Sequence, residues 1–387
     1  MKVLGIKRED TKKRNRGQVL KLIAQGTCSN RRELVTYMGL TKMAISNIVT
    51  ELVDKGLLME GEISSLGNVG RNPVTLRIPQ KAPKVIGILI LRDRCESVLC
   101  DLYLNILKRK RIELQDLDKK KLIAIMYELI DEMIQSDETI LGIGVSAIGP
   151  LDRKRGLLLT PPYFFNIHDL PVKDLIEERY GLPVVMNQDN QSAALVELMY
   201  GNGQNRDRFI LLGIARGVGC GIVKNGVPYE TLEEPMPEIG HVSIDHKGKR
   251  CVCGNRGCLE LYVNTYTLTQ KLQRATGQIL TFSEFCEGRK RTDAAEMIFE
   301  EMTEQLAAGL VSAVNLLNLE LILLGYDGVY LPERYVRQLE DRINMIKFAK
   351  YGKRTEVKKA YFLQDAQLLG AVCNVFQEIY EGRLLME

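Results

Sequence analysis

The chain has 387 residues, 45% hydrophobic and 26% charged, which fits a globular protein of two or three domains able to bury a large interior. Its formal net charge of +4 is unevenly spread: residues 1–80 carry 14 Lys and Arg against 7 Asp and Glu, and the remainder 39 against 42. A head at +7 on a body at −3 points to an anionic partner for the head, most often nucleic acid.

The opening MKVLGIKREDTKKRN is basic and polar, unlike a secretory leader. Apolar runs such as VIGILIL (85–91) are too short for a membrane span and read as buried strands. A cytoplasmic location is expected. Of nine cysteines, Cys28, Cys95, Cys100, Cys220, Cys286 and Cys373 are scattered without framework spacing. In a reducing compartment they read as small buried hydrophobes.

Three helices are expected in the head. In the first, 11–26, Val19, Leu20, Ile23 and Ala24 share a face and Gly26 ends the run. The second is short, with Leu34, Val35 and Met38 inward and Gly39 as its stop. The third starts at Thr41, a candidate N-cap, with Ala44, Ile45, Ile48, Leu52 and Val53 inward. Helix, short helix, tight turn and helix make a helix-turn-helix. LLMEGEI and VTLRI then flank the turn SSLGNVGRNP as a hairpin wing, with Arg71 offered to a minor groove. Thr41, Lys42, Met43, Ser46 and Asn47 face outward at the start of the third helix, where side chains reach base edges in a major groove. A helical module for protein contacts is the competing reading, but charge, turn and wing agree on DNA.

From residue 84 onward, strand-like runs alternate with amphipathic helices: VIGILIL, SVLCDLYL, ILKRKRIEL, KKLIAIMYELIDEMIQ, LGIGVSAIG, LIEERYG, PVVMNQD and QSAALVELMYG. A second series runs from FILLGIARGVGCGIV to LILLG and a final helix, LLGAVCNVFQEIY. This order fits two α/β lobes around a cleft.

One short stretch holds most of the chemistry. EIGHVSIDHKGKRCVCGNRGCLE (238–260) gathers two of three histidines and three of nine cysteines. Cys251, Cys253 and Cys258 lie close together, with Gly254 and Gly257 free to fold the sulfurs inward. Three thiolates and one imidazole would complete a tetrahedral Zn²⁺ site, with His241 or His246 as the fourth ligand. A site so closed is structural.

Through EIGH…CxCGxxGCxE the chain resembles the ROK proteins (repressors, open reading frames and sugar kinases), in particular their winged-helix repressor branch. The resemblance implies a winged helix-turn-helix over 1–80 and a two-lobed, actin-like (ribonuclease-H-like ATPase-type) domain. Its first lobe would span 81–195 with the returning helix at about 370–387; its second, 196–369, would hold the zinc motif. The resemblance also selects His241 as the zinc ligand, and it implies that Glu238, His241 and Glu260 bond sugar hydroxyls. NQDNQSAALVE (187–197) resembles the family's ENDANAAALAE, placing Asp189 at the catalytic aspartate and Gln188 beside it. In PPYFFNIHD (161–169), Tyr163 stands where the family has a sugar-binding asparagine, and Phe164 and Phe165 are stacking or core residues.

Against the family's kinases the phosphate turns are altered. DxGGT becomes Leu89-Ile90-Leu91-Arg92-Asp93, where the leucines are expected to crowd the phosphate position. GTGxGxG becomes Ala215-Arg216-Gly217-Val218-Gly219-Cys220-Gly221, and a later GG becomes Gly325-Tyr326. The resulting expectation is a dimeric, zinc-braced repressor of carbohydrate-use genes. It would bind operator DNA and answer to a sugar or sugar derivative held between the lobes, without enzymatic activity. The alternatives are a sugar kinase with an added DNA-binding domain, or a regulator answering to a partner protein.

Overall fold

The computed structural model describes residues 8–63, 74–134, 139–229, 236–288, 292–350 and 352–384. Two compact units form, one from 1–187 with 371–387 and one from 188–370.

The first unit opens with helices α1 (Arg8–Ala24), α2 (Arg31–Met38) and α3 (Lys42–Asp54), followed by strands β1 (Met59–Ile63) and β2 (Val74–Arg77). Each boundary has a local cause. The Asn30 side chain caps α2 by accepting from Glu33 N, and Gly39 ends it at φ 64°. Thr41 Oγ1 caps α3 by accepting from Ala44 N at 3.2 Å. The inward stripe of α3 is Ile45, Val49 and Leu52. Ala44, Ile48 and Val53, expected inward, are only half-buried, because an i, i+4, i+7 row faces the neighbouring helices and drifts off the positions beside it. β1 and β2 pair antiparallel, and Leu76 N donates to Ser29 O at 2.7 Å, which ties the hairpin to the start of α2. The hairpin tip and Arg71 lie outside the described residues.

Strands β3 (Lys84–Ile90), β4 (Arg94–Cys100), β5 (Ile106–Glu113), β6 (Ile140–Ala147) and, after three two-residue strands β7 (Leu151–Asp152), β8 (Leu157–Leu158) and β9 (Leu170–Pro171), β10 (Val184–Gln188) build a sheet of order β10-β6-β3-β4-β5. β3 is buried along its whole length, as a continuous apolar run in a covered strand should be. Helix α4 (Lys119–Met133), capped by Asp118, buries Leu122, Met126, Leu129, Ile130 and Met133. Helix α5 (Val172–Tyr180) follows β9. Leu89 and Leu91 are 1% and 5% exposed. They fill the core, not a phosphate position, because the chain turns only at Arg92-Asp93 and the side chains of the preceding strand point inward.

The second unit repeats the same strand order. Helix α6 (Asp189–Tyr200) leads to β11 (Arg208–Ile214), β12 (Val218–Lys224) and β13 (Val227–Pro228), which continue a sheet of order β13-β12-β11-β14-β15 with β14 (Leu321–Tyr326) and β15 (Glu356–Lys359). β11 is parallel to β14 and antiparallel to β12. Between β13 and β14 lie α7 (Glu260–Val263), α8 (Thr265–Thr276), α9 (Phe282–Glu287) and the 25-residue α10 (Asp293–Leu317), and α11 (Glu333–Ile346) precedes β15; α12 (Ala366–Tyr380) follows, and from residue 371 it belongs to the first unit. One apolar core joins this sheet to α8–α11. Glu197, fully buried in α6, accepts from Phe362 N at 3.0 Å and Asn202 N at 2.9 Å. No helix among the described residues is long and apolar enough to cross a membrane.

Candidate functional site

The cysteine-rich loop of the second unit closes on itself. Cys251 N donates to Asn255 O at 2.8 Å and Gly254 N to Cys251 O at 3.0 Å, folding 251–255 into a tight turn. Gly254 and Gly257 hold φ of 94° and 67°, and a Cβ on Gly257 would stand 1.8 Å from Asp245 O. Only glycine fits there. The ligand atoms of His241, Cys251, Cys253 and Cys258 lie within 4.8 Å of one another. Exposed His246 is not among them.

This donor set suits a tetrahedral cation. With Zn–S of about 2.3 Å and Zn–N of about 2.0 Å, ideal edges are about 3.8 Å for S···S and about 3.5 Å for S···N. Cys253 Sγ to Cys258 Sγ is 3.7 Å, and Cys251 Sγ to His241 Nδ1 is 3.6 Å. Burial and the neighbouring sulfurs push the Cys258 thiol up to about 12. Asn255, which carried no sequence signal, steadies the histidine by donating from Nδ2 to His241 O at 3.2 Å. Cys28, Cys95, Cys100, Cys220, Cys286 and Cys373 are all buried free thiols.

Carboxylates gather beside this loop. Asp189 is the first residue of α6 and 6% exposed, at the positive end of the helix. Its Oδ1 accepts from Asn190 N at 2.8 Å, and its Oδ2 accepts from the Tyr326 hydroxyl. Glu260 opens α7 and accepts from Val218 N at 3.1 Å, holding the Ala215–Val218 turn. Glu238 is open to solvent at its surface yet ringed by protein. Loss of solvation pushes its carboxyl above the usual range; His241 opposes this, Asp189 and Glu260 add to it, and a hydrogen bond from Gln188 opposes it. Gln188, Asp189, Glu238, His241 and Glu260 therefore share one electrostatic neighbourhood. Tyr163 belongs to the first unit, where it is 84% exposed at φ 58°. Phe164 beside it is core, at 1% exposed.

Gly219 and Gly221 of the second phosphate turn, and Gly213 just before it, have a packing reason. A Cβ on Gly213 would meet Asn190 Oδ1 at 2.0 Å, one on Gly219 would meet Asn190 Nδ2 at 2.8 Å, and one on Gly221 would meet Asn190 O at 2.1 Å. The β11–β12 hairpin thus lies on the first turn of α6 through missing side chains. Arg216, in that turn, is exposed with its guanidinium 5.6 Å from the Tyr266 ring centroid. In the head, Thr41, Lys42, Met43 and Asn47 are exposed, Met43 at 74%, and Ser46 is half-buried.

Comparison with known proteins follows this division. Residues 85–378 match the ROK family model. Over nearly its whole length the chain is similar to the xylose repressor of Bacillus subtilis (strain 168), at 27% identity covering 93% of this chain and 94% of that protein. It is also similar to the DNA-binding transcriptional repressor Mlc of Escherichia coli (strain K12), at 26% identity covering 98% and 96%. Among solved structures, a ROK family transcriptional regulator described as a homolog of E. coli Mlc superposes with a TM-score of 0.84 at 26% identity, covering 97% of this chain and 98% of that one. A ROK hexokinase from Thermus thermophilus, with a TM-score of 0.65 at 23% identity, shares the fold over 76% of this chain and 99% of its own. This chain belongs to the ROK family.

Proposed function

We propose that the protein is a cytoplasmic, sugar-responsive DNA-binding transcriptional regulator, a repressor of carbohydrate-use genes acting as a dimer on paired half-sites. The observation that carries this reading is the extent of the likeness. The regulator neighbour accounts for 97% of the chain, whereas the hexokinase neighbour accounts for 76%, and the family match begins at residue 85, after the basic head. In that head, Thr41, Lys42, Met43, Ser46 and Asn47 serve as the base-reading and phosphate-facing residues.

His241, Cys251, Cys253 and Cys258 hold a structural Zn²⁺, with Nδ1 of His241 as the ligand atom. Zn²⁺ supplies rigidity there and leaves the second ring nitrogen for a ligand or a neighbouring acceptor. Glu238, Glu260 and Asp189 are acceptors for vicinal hydroxyls, held in place before the sugar arrives. Gln188 orients Glu238. Sugar binding shifts the chain between two states of different operator affinity, and the coupling free energy is the difference in sugar affinity between them.

The protein does not phosphorylate the sugar. Support comes from the turn at Arg92-Asp93, which lacks the glycines of a phosphate cradle, and from the tyrosine at 326. The test has two arms on one preparation. A thermal-shift screen with D-xylose, D-glucose and N-acetyl-D-glucosamine, and their phosphates, should show at least one ligand raising the unfolding midpoint. A coupled ADP-release assay with the same sugars should stay at background. Turnover above background would favour the kinase reading, and no midpoint shift with any sugar would favour a protein partner.

A further inference from the structure

Tyr326 is the residue that the sugar and zinc readings leave unused. It ends β14 at φ 53° and ψ −130°, a backbone conformation that suits glycine and is costly for an aromatic residue. Its main chain is held there by Gln364, whose Nε2 donates to Tyr326 O at 2.8 Å. The ring lies against Gly213, where a Cβ would come within 2.8 Å of Tyr326 Cε2. From that position the hydroxyl donates to Asp189 Oδ2 across 137 residues of sequence. The other carboxylate oxygen is already engaged by its own helix, with Asn190 N at 2.8 Å and Asn190 Nδ2 at 3.3 Å. Both oxygens of Asp189 are thus engaged inside the second unit.

We infer that Tyr326 is a positioning residue that locks Asp189. It sits at the carboxyl ends of β11 and β14, where Ile214 is its partner across the ladder and where ligands of open α/β sheets approach. With the phenol in place, Asp189 has both carboxylate oxygens directed at fixed donors, and it is not poised to take a proton from a substrate hydroxyl. A hydroxyl-bearing ligand reaches Asp189 by competing with the phenol for Oδ2. That consequence rests on the sugar reading; the lock itself does not. The strained backbone at Tyr326 is explained by the hydroxyl it delivers.

The experiment labels carboxyl groups of the full-length protein with a water-soluble carbodiimide and an amine, with labelling followed peptide by peptide by mass spectrometry. Tyr326→Phe removes one oxygen and keeps the ring. Asp189 should then label about tenfold faster than in the wild type, the factor that corresponds to about 1.4 kcal/mol at the low end for a hydrogen bond to a charged group. The pH midpoint of its labelling should move upward, since a donated hydrogen bond favours the charged form. Fully buried Glu197 reports on the fold and should stay protected. Unchanged Asp189 rate and midpoint, with Glu197 still protected, would overturn the lock. Should Glu197 become reactive as well, Tyr326→Gly, whose backbone suits that conformation, gives the deciding comparison on the same scale. None of these outcomes depends on a sugar being found.

Discussion

The metal clip offers the sharpest perturbation, and the choice of ligand matters. Cys258 is 0% exposed, so replacing it would disturb packing as well as metal binding. Cys253 is exposed, so Cys253→Ser removes a ligand and little else. Its sulfur lies 3.7 Å from Cys258 Sγ, close to the tetrahedral edge, so losing it leaves three of four donors. Losing even a supporting partner of a zinc ligand typically weakens metal binding 10- to 100-fold, so loss of the ligand itself should cost at least about 100-fold. Metal binds the folded state, and a 100-fold loss lowers the unfolding midpoint of a unit this size by about 5–10 °C. The assay is metal content by plasma mass spectrometry together with thermal unfolding, with and without a chelator. Wild type should carry one zinc per chain and lose thermal stability on chelation; the variant should carry less and respond less. Equal metal content and equal response to the chelator would refute a zinc-held loop.

Other consequences are open to direct measurement. Glu260→Gln keeps an acceptor for Val218 N but removes the charge, so monosaccharide binding should fall while operator binding persists; loss of both together would make the residue structural. Lys42→Ala should weaken operator binding across all sequences and reduce the slope of log affinity against log salt by about 1; an unchanged slope would remove Lys42 from the phosphate contacts. Because loss of solvation, with Asp189 and Glu260 nearby, holds Glu238 above the usual carboxylate range, monosaccharide affinity should fall as pH drops through that raised value. Stability runs the opposite way: a raised folded-state value makes protonation more favourable in the folded chain, so this group's contribution to folding grows as pH falls through it. Glu238→Gln should flatten the affinity profile, and a profile unaffected by that change would exclude Glu238 as the titrating acceptor.

What could be read from the sequence was what is local. The three cysteines and two glycines of the metal loop, Cys251, Cys253, Gly254, Gly257 and Cys258, all lie between positions 251 and 258, and thiolate chemistry constrains their spacing. His241 against His246 was not decidable from spacing, and folding separates them by exposure. The helix caps Asn30, Thr41 and Asp118 are local too, since side chain and amide are three residues apart. Register was harder to read. Val49 replaces Ile48 on the inner face of α3 because rotation about a helix axis by one position costs nothing in pattern, and the neighbouring helices decide it. Leu89 and Leu91 looked obstructive only in alignment with a glycine turn; the strand's alternation and two-sided burial turn them into core. Tyr326 was legible as a missing glycine but not as a donor, since its acceptor lies on a helix 137 residues earlier. The glycines at 219 and 221 likewise look like phosphate-loop remnants until Asn190 is seen beneath them.

The most direct test of the whole account is operator retardation read against sugar. Fragments selected from genomic DNA by the purified, zinc-loaded protein should be retarded in a gel. The monosaccharide that raises the unfolding midpoint should shift that retardation curve at least several-fold for the wild type and leave it in place for Glu260→Gln. A protein that retards no fragment, or one whose retardation is indifferent to every sugar that binds it, would contradict the claim that the carboxylate cluster reports to the basic head.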